Sequence, residues 1–406
     1  MEKEQKTITN ANEVRQNKLN VPTLRFKSFE QEWEYSTIGK CSISLEYGMN
    51  AAAKTYDGKH KYIRITDINE ETSTFDPNPL SSPDGEYEEK YLVKENDILF
   101  ARTGASVGKS YLYDTKDGEL YFAGFLIRAR IKHVYNGAFV YYQTKSKKYE
   151  KWVKLTSMRS GQPGINSQEY SSYTIGMTSR TEQDKIADFL LSLDRKIAVQ
   201  NKIISKYETL IKGISNILIH SFSLHSKVKL SDILLEYNER TQINNEYPIL
   251  SSTMNGIFVQ SDYFNKQAAS EDTIGYKKVP YGYCTYRSMS DTGVFKFNLQ
   301  KVVDLGIVSP AYPVFTSTVY DIDFVVFYMN NAISFKRQIL EAKEGGTRFA
   351  LSYSKLIDLT IPNIPKIQQK KIVDTYSTFS KKMEIEKAIL SKLKEQKNYL
   401  LSKMFI

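Results

Sequence analysis

A chain of 406 residues is longer than one ordinary core needs, and 41% hydrophobic content is enough for two or more globular domains. The net charge of +10, with an isoelectric point near 9.1, favours a polyanionic partner, because a basic face neutralises phosphates and releases their counterions. Two cysteines far apart, Cys41 and Cys284, exclude a disulfide framework, and no apolar run nears the roughly 20 residues a bilayer span needs, so a cytoplasmic protein with no membrane contact is expected.

Residues 1–20 are polar and mixed in charge, unlike a signal peptide or anchor, and are expected to form a disordered or weakly ordered tail. The next region, residues 21–178, mixes short β-rich runs (YIRITDI, DILFA, FLIRARI) with an amphipathic piece over residues 139–153, which is α+β composition. Within it NDILFARTGASVGKSYLY, residues 96–113, invites comparison with the phosphate loop of an ATPase. That motif needs four residues between its first glycine and the Gly-Lys pair, and Gly104 to Gly108 leaves three. The alternating aromatics after Ser110 predict a strand where a phosphate cradle needs a helix N-terminus, so the stretch reads as strand, glycine-rich turn, strand. Asp76-Pro77-Asn78-Pro79 echoes the Asp/Asn-Pro-Pro-aromatic motif of amino-methyltransferases but reads as a proline turn.

Residues 179–222 form the first of two predicted long helices. Ile186, Leu190, Leu193, Ile197, Gln200, Ile204, Tyr207, Ile211, Ile214 and Leu218 alternate by four and three, the seam of a coiled coil. Residues 226–364 return to α+β composition, with GVFKFNL and FVVFYM as β-rich runs. Residues 365–406 repeat the helical pattern through Ile372, Tyr376, Phe379, Met383, Glu386, Leu390, Leu393, Lys397, Leu400 and Met404. A helix of about 38 residues reaches roughly 57 Å, far more than a globular core requires.

The two halves are related. A shift of 186 lays residues 165–219 on 351–405 without a gap, with ten identities, among them Gln183 on Gln369 and Asp188 on Asp374. The seams are polar at the same heptad position, Gln200 and Glu386, which suits fixing the register of an antiparallel pair. More faintly, Arg102 with Gly108 resembles Arg287 with Gly293. The predicted fold is therefore α+β: two globular domains, each followed by a long helix, the helices packed as an antiparallel coiled coil in a pseudo-twofold internal repeat.

Chemistry narrows to DNA binding. The histidines His60, His133, His220 and His225 supply no metal spacing, and no dinucleotide loop or nucleophile signature appears, so no metal site and no cofactor are expected in this chain. Arg102, Thr103, Gly104, Ser106 and Lys109, with Arg287, Ser288 and Ser290 in the second copy, could offer amides, hydroxyls and a guanidinium to phosphate; Arg102 could equally pair with a carboxylate such as Asp97. A turn shared by both domains serves something common to both, and base choice needs loops that differ. Those loops hold Asn50, Lys54, Tyr56, Lys59, His60 and Lys61, then Arg159, Gln162 and Asn166, and in the second domain Asn238, Arg240, Gln242 and Asn244.

With those residues in view the chain resembles the specificity (S) subunit of type I restriction-modification enzymes. The likeness rests on Val21-Pro22-Thr23-Leu24-Arg25-Phe26 before Glu32-Trp33-Glu34, on NDILFARTGASVGK, on residues 161–166, and on the helical segments 181–219 and 367–405. It implies two target-recognition domains, 21–178 and 226–364, each reading half of a bipartite, asymmetric duplex site, with helices 179–222 and 365–406 as spacer. The helices would dock two methyltransferase subunits, helped by apolar residues such as Phe189, Ile203 and Ile389, and restriction/translocase subunits would join through the complex. Adenine methylation with S-adenosylmethionine, and ATP- and Mg-dependent cleavage, would belong to those partners, and this chain would be non-catalytic. The alternatives are a specificity subunit of a modification-only adenine methyltransferase, a helical scaffold without DNA affinity, and a P-loop ATPase.

Overall fold

The computed structural model of the protein describes residues 20–158, 161–221, 226–263, 272–342 and 349–406; most of the expected tail, Arg159 and His225 lie outside them. The chain makes two compact units, one running to Asn201 and joined by Ile389–Ile406, the other Lys202–Ala388. Each long helix, Arg180–His220 and Lys366–Lys403, therefore contributes a stretch to both.

The first unit is built on DILFA. All five residues of the strand Asp97–Ala101 are buried, and their side chains alternate between two apolar clusters, Ile98 and Phe100 in one, Leu99 and Ala101 in the other. A strand covered on both faces reads as a continuous apolar run, which is how this one looks in sequence. It lies in a four-stranded antiparallel sheet between Leu126–Ile131 and Ser110–Leu112, with Ser42–Tyr47 at the far edge. The register sets Asp97 opposite Arg130, which donates to both carboxylate oxygens at 3.0 and 2.9 Å. An isolated carboxylate buried there would cost several kcal/mol, so the pair is required by the register. Asp97 is thus matched to Arg130 and Arg128, and Arg102 does not pair with it.

The amphipathic piece over residues 139–153 is two helices, Gly137–Gln143 and Lys147–Thr156. Ser146 breaks the run, its hydroxyl accepting from the Tyr149 N–H to cap the second helix. The segment bearing Arg25 and Trp33 locks the start of the first long helix. Buried Glu182 accepts from Arg25 Nε and Nη2 at 2.7 and 2.8 Å and from Trp33 Nε1 at 3.2 Å.

The second unit has a four-stranded antiparallel sheet ordered Leu235–Glu236, Val314–Thr316, Cys284–Tyr286, Phe297–Leu299. FVVFYM, expected as a strand, lies in the helix Ile322–Asn331, whose cap Asp321 accepts from the N–H of Asp323 and Phe324. A short, fully apolar run carries no period to separate strand from helix, and here the Asp cap decides. Cys41 and Cys284 are both buried and form no disulfide.

The same hydrogen bonds recur in the two units. Gln183 accepts from the Asn136 N–H at 3.0 Å and donates to the Thr178 carbonyl at 2.7 Å; Gln369 accepts from the Asp321 N–H at 2.8 Å and donates to Ile364 at 2.6 Å. Ile38 donates to the Tyr173 carbonyl and Leu230 to Leu359, while Ile165 donates to the Arg102 carbonyl and Leu351 to Ser288. Gln183 and Gln369, Thr178 and Ile364, Tyr173 and Leu359, Ile165 and Leu351, Arg102 and Ser288 all stand 186 residues apart. The counterpart of Arg102 is therefore Ser288, a correction of one residue: Arg287 takes the place of Ala101. Successive strand side chains face opposite ways, so Arg287 does not repeat Arg102.

Every seam position of both helices is buried or half-buried. In the first unit Ile186, Leu190 and Leu193 share a core with Leu400 and Met404, and Ile197 and Leu393 pack against it. In the second, Ile372 shares a core against which Leu218 and Tyr376 pack. Lys397, a charge in a seam slot, reaches Asp194 at 2.6 Å.

Candidate nucleic-acid interface

The glycine turn follows the central strand of the first unit. Gly104 and Gly108 have φ of +74° and +86°, which a side chain would strain, and a Cβ on Gly108 would meet Val153 Cγ1 at 2.5 Å. Four of the turn's amides are used within the fold. Gly104 donates to the Pro163 carbonyl, Val107 to Gly104, Gly108 to Ala101 and Lys109 to Ser106, and Gly108 also meets the Tyr170 hydroxyl. Ser110–Leu112 then continues as a strand. With those amides so used, and a strand where a phosphate loop would start a helix, the turn is not built as a phosphate loop. Lys109 is committed as well, donating to the Ile68 carbonyl and to Glu70 at 3.2 Å each.

Arg102 is the turn residue with a different setting. Its guanidinium lies 4.8 Å from the ring centroid of Tyr47, and Nη1 makes one long bond, 3.4 Å, to the Gly124 carbonyl. Gln162 closes over Gly104, and Thr103 bridges to Gly164, so loop 161–166 and the turn form one surface. Two aromatics that the sequence does not offer as DNA contacts belong to it: Tyr47, 41% exposed, and Phe125, 62% exposed, whose carbonyl accepts from the Arg102 N–H. Phe125 opens FLIRARI and reads as the first residue of a strand; only its exposure gives it away. Asn166 is held as a cap, accepting from the Glu169 N–H while Glu169 accepts from its own.

The loop 50–62 divides. Asn50, Lys54 and Lys59 are exposed and Tyr56 is half-buried, whereas His60 and Lys61 face inward partners. His60 stacks on Tyr87 at 3.8 Å and bonds Asp57 at 2.7 Å, and Lys61 reaches the Asp117 carbonyl. Asp57 also accepts from the Lys59 and His60 amides and the Tyr87 hydroxyl, and the His60 contact above all holds its carboxyl well below the usual range. This buttress fixes the loop that carries Lys59, while Lys54 stands exposed on the strand Ala52–Thr55, which pairs with Ser81–Asp84.

In the second unit Asn238, Arg240 and Gln242 are exposed. Arg240 donates to the Gly275 carbonyl, and Asn244 accepts from the amide and hydroxyl of Thr273, so Asn244 ties two loops together. Ser288 donates to the Ala311 carbonyl at 2.9 Å, and Ser290 meets Thr292. Beside Ser288 the surface sinks into a recess of about 280 Å³ lined by Glu236, Met289, Ala311 and Tyr353.

On the helices Phe189, Val199, Leu210, Ile217, Ile385, Ile389 and Tyr399 are exposed, while Ile203 is half-buried. No described helix is long and apolar enough to cross a membrane.

This arrangement is a known one. Over 95% of the chain, and 99% of its match, the fold resembles the type I restriction-modification S subunit from M. genitalium, with a TM-score of 0.61 at 15% identity. A structure from work on complex assembly and conformational transition of the type I R-M system matches over 95% of this chain and 98% of that one, with a TM-score of 0.51 at 12% identity. Residues 30–209 match the type I restriction modification DNA specificity domain. The domain match covers residues 30–209, and over the whole chain the likeness to these solved structures is one of fold.

Proposed function

We propose that this chain reads a bipartite, asymmetric duplex site, one half with each α+β unit, across a spacer whose length is set by the two long helices paired as an antiparallel coiled coil. What carries the reading is one internal scaffold used twice with unlike surfaces. The glutamine locks at 183 and 369 and the strand contacts at 102 and 288 recur at a constant offset, while the exposed loops share no pattern. Two readers of the same build and different surface suit two different half-sites. The cores that join Leu190 with Leu400, and Ile372 with Leu218, support the antiparallel pairing.

The exposed apolar side chains of the helices suit docking of two methyltransferase subunits, since apolar groups gathered on a rod favour a protein partner. Restriction/translocase subunits would join through that complex. The chain itself is non-catalytic in this reading. S-adenosylmethionine, ATP and Mg would be handled by the partners, and this chain would bind and orient the duplex.

The test is selection of bound sequences from a random duplex pool by the full-length chain assembled with its methyltransferase partner. Two short fixed blocks separated by an unread gap of constant length are expected, with affinity falling steeply as salt rises. A single contiguous block, or retention without sequence preference, would overturn the proposal.

A further inference from the structure

We infer that Tyr47, Arg102 and Phe125 form a base-reading platform for one half-site only, and that the second unit reads its half-site without one. The inference rests on the two-part reading above and assigns Arg102 to base choice rather than to phosphate anchoring.

The three positions can be followed into the second unit. The register that sets Leu45 opposite Ala129 sets Glu236 opposite Phe315, 186 residues on from Ala129, so Tyr47 corresponds to Asn238. Arg102 corresponds to Ser288, by the shared bonds from Ile165 and Leu351. Phe125 corresponds to Ala311, because Arg102 meets the Phe125 carbonyl through its N–H and Ser288 meets the Ala311 carbonyl through its hydroxyl. Tyr, Arg and Phe in one unit are thus Asn, Ser and Ala in the other. Where the first raises a guanidinium on an aromatic ring, the second has the recess of about 280 Å³.

Phosphate contacts are common to any sequence, so a phosphate anchor should recur in both readers; a group present in one reader serves what differs, the bases. The chemistry agrees. An arginine fork is the commonest specific partner of guanine in the major groove, and an exposed aromatic can stack on a base or wedge between steps. Stacking on Tyr47 orders the guanidinium beforehand and so lowers the entropy lost on binding, while its 3.4 Å bond to Gly124 is long enough to yield to a better acceptor. Phe125 stands on a fixed backbone. Gly124 donates to the Met49 carbonyl and Leu126 to Ala123, and a Cβ on Gly48 would meet the Ala123 oxygen at 2.3 Å, so glycine is needed for the close approach that holds this turn.

The experiment gives the first unit the second unit's residues: Arg102→Ser with Phe125→Ala, in the full chain assembled with its methyltransferase partner, and selection repeated from the random duplex pool. Discrimination at one or two base pairs of one half-site should fall on the order of tenfold or more, while the other half-site and the gap stay as in the wild type. Arg102→Lys keeps the charge and the fold; it should lose the same preference with general DNA affinity retained, and Tyr47→Phe, which keeps the ring, should preserve it. If affinity for all sequences drops while both half-sites keep their preferences, Arg102 anchors phosphate and the inference is wrong. Weakening of both half-sites alike by Arg102→Lys would overturn it too. A wild-type complex that selects no two-part site would instead remove the underlying reading, a result visible before any variant is made.

Discussion

Lys145 is a half-buried amine in the first unit, donating to the Ser73 hydroxyl and the Ser110 carbonyl at 2.9 Å each and lying 4.6 Å from the Tyr141 ring centroid. Burial is the main cause that pulls its pKa down to about 7, with Lys397 and Lys109 adding repulsion and Asp194 opposing them. The unfolded chain holds that proton up to about 10.4, so between these values the unfolded state binds more protons and stability rises with pH. Urea midpoints of the wild type should therefore increase from pH 7 toward pH 10, and Lys145→Met should flatten that rise; an equal rise in both proteins would assign the effect to other groups. Lys109 and Arg102 show what a sequence hides at this scale. Both read as cations offered by a glycine turn, yet Lys109 is tied to Glu70 and Ile68, some 40 positions away, and Arg102 rests on Tyr47. Such partners are set by strand register, which no local pattern encodes. Gln183 and Gln369 were legible as a repeated identity; their work, closing the amides of Asn136 and Asp321, was not.

The long helices were the most legible elements, because a four-three alternation kept over ten positions has no other structural reading. Lys397 looked like a fault in that pattern and is resolved by Asp194 one face away. The remaining seam should behave as a core. Leu400→Ala, at a buried position among Leu190, Leu193 and Met404, should cost about 2–5 kcal/mol in chemical denaturation. Lys397→Met should change stability by no more than about 1 kcal/mol, since a half-exposed ion pair contributes little and an apolar side chain suits the slot. A larger loss at Lys397 than at Leu400 would mean that the seam is held by charge. FVVFYM was misread as a strand, and the break inside residues 139–153 was not foreseen, for one shared reason: apolar pattern gives burial, while element type and breaks are decided by single caps, Asp321 and Ser146.

For the molecule as a whole, two α+β units and two long helices could be read from composition and period, and a family likeness from a few motifs. The pairing of the halves needed the structure, since weak identities left the glycine turn one residue out of step, and that single residue decides whether Arg102 is shared or peculiar to one half. The central claim is that the helices set the distance between two independent readers. Inserting one heptad into each helix, after Asn201 and after Glu384, keeps the four-three seam and lengthens the pair by about 10 Å, roughly three base pairs of duplex. Selection with this variant, assembled with its methyltransferase partner, should return both half-site sequences unchanged with the gap widened by about three base pairs. Altered half-site sequences with an unchanged gap would contradict the account.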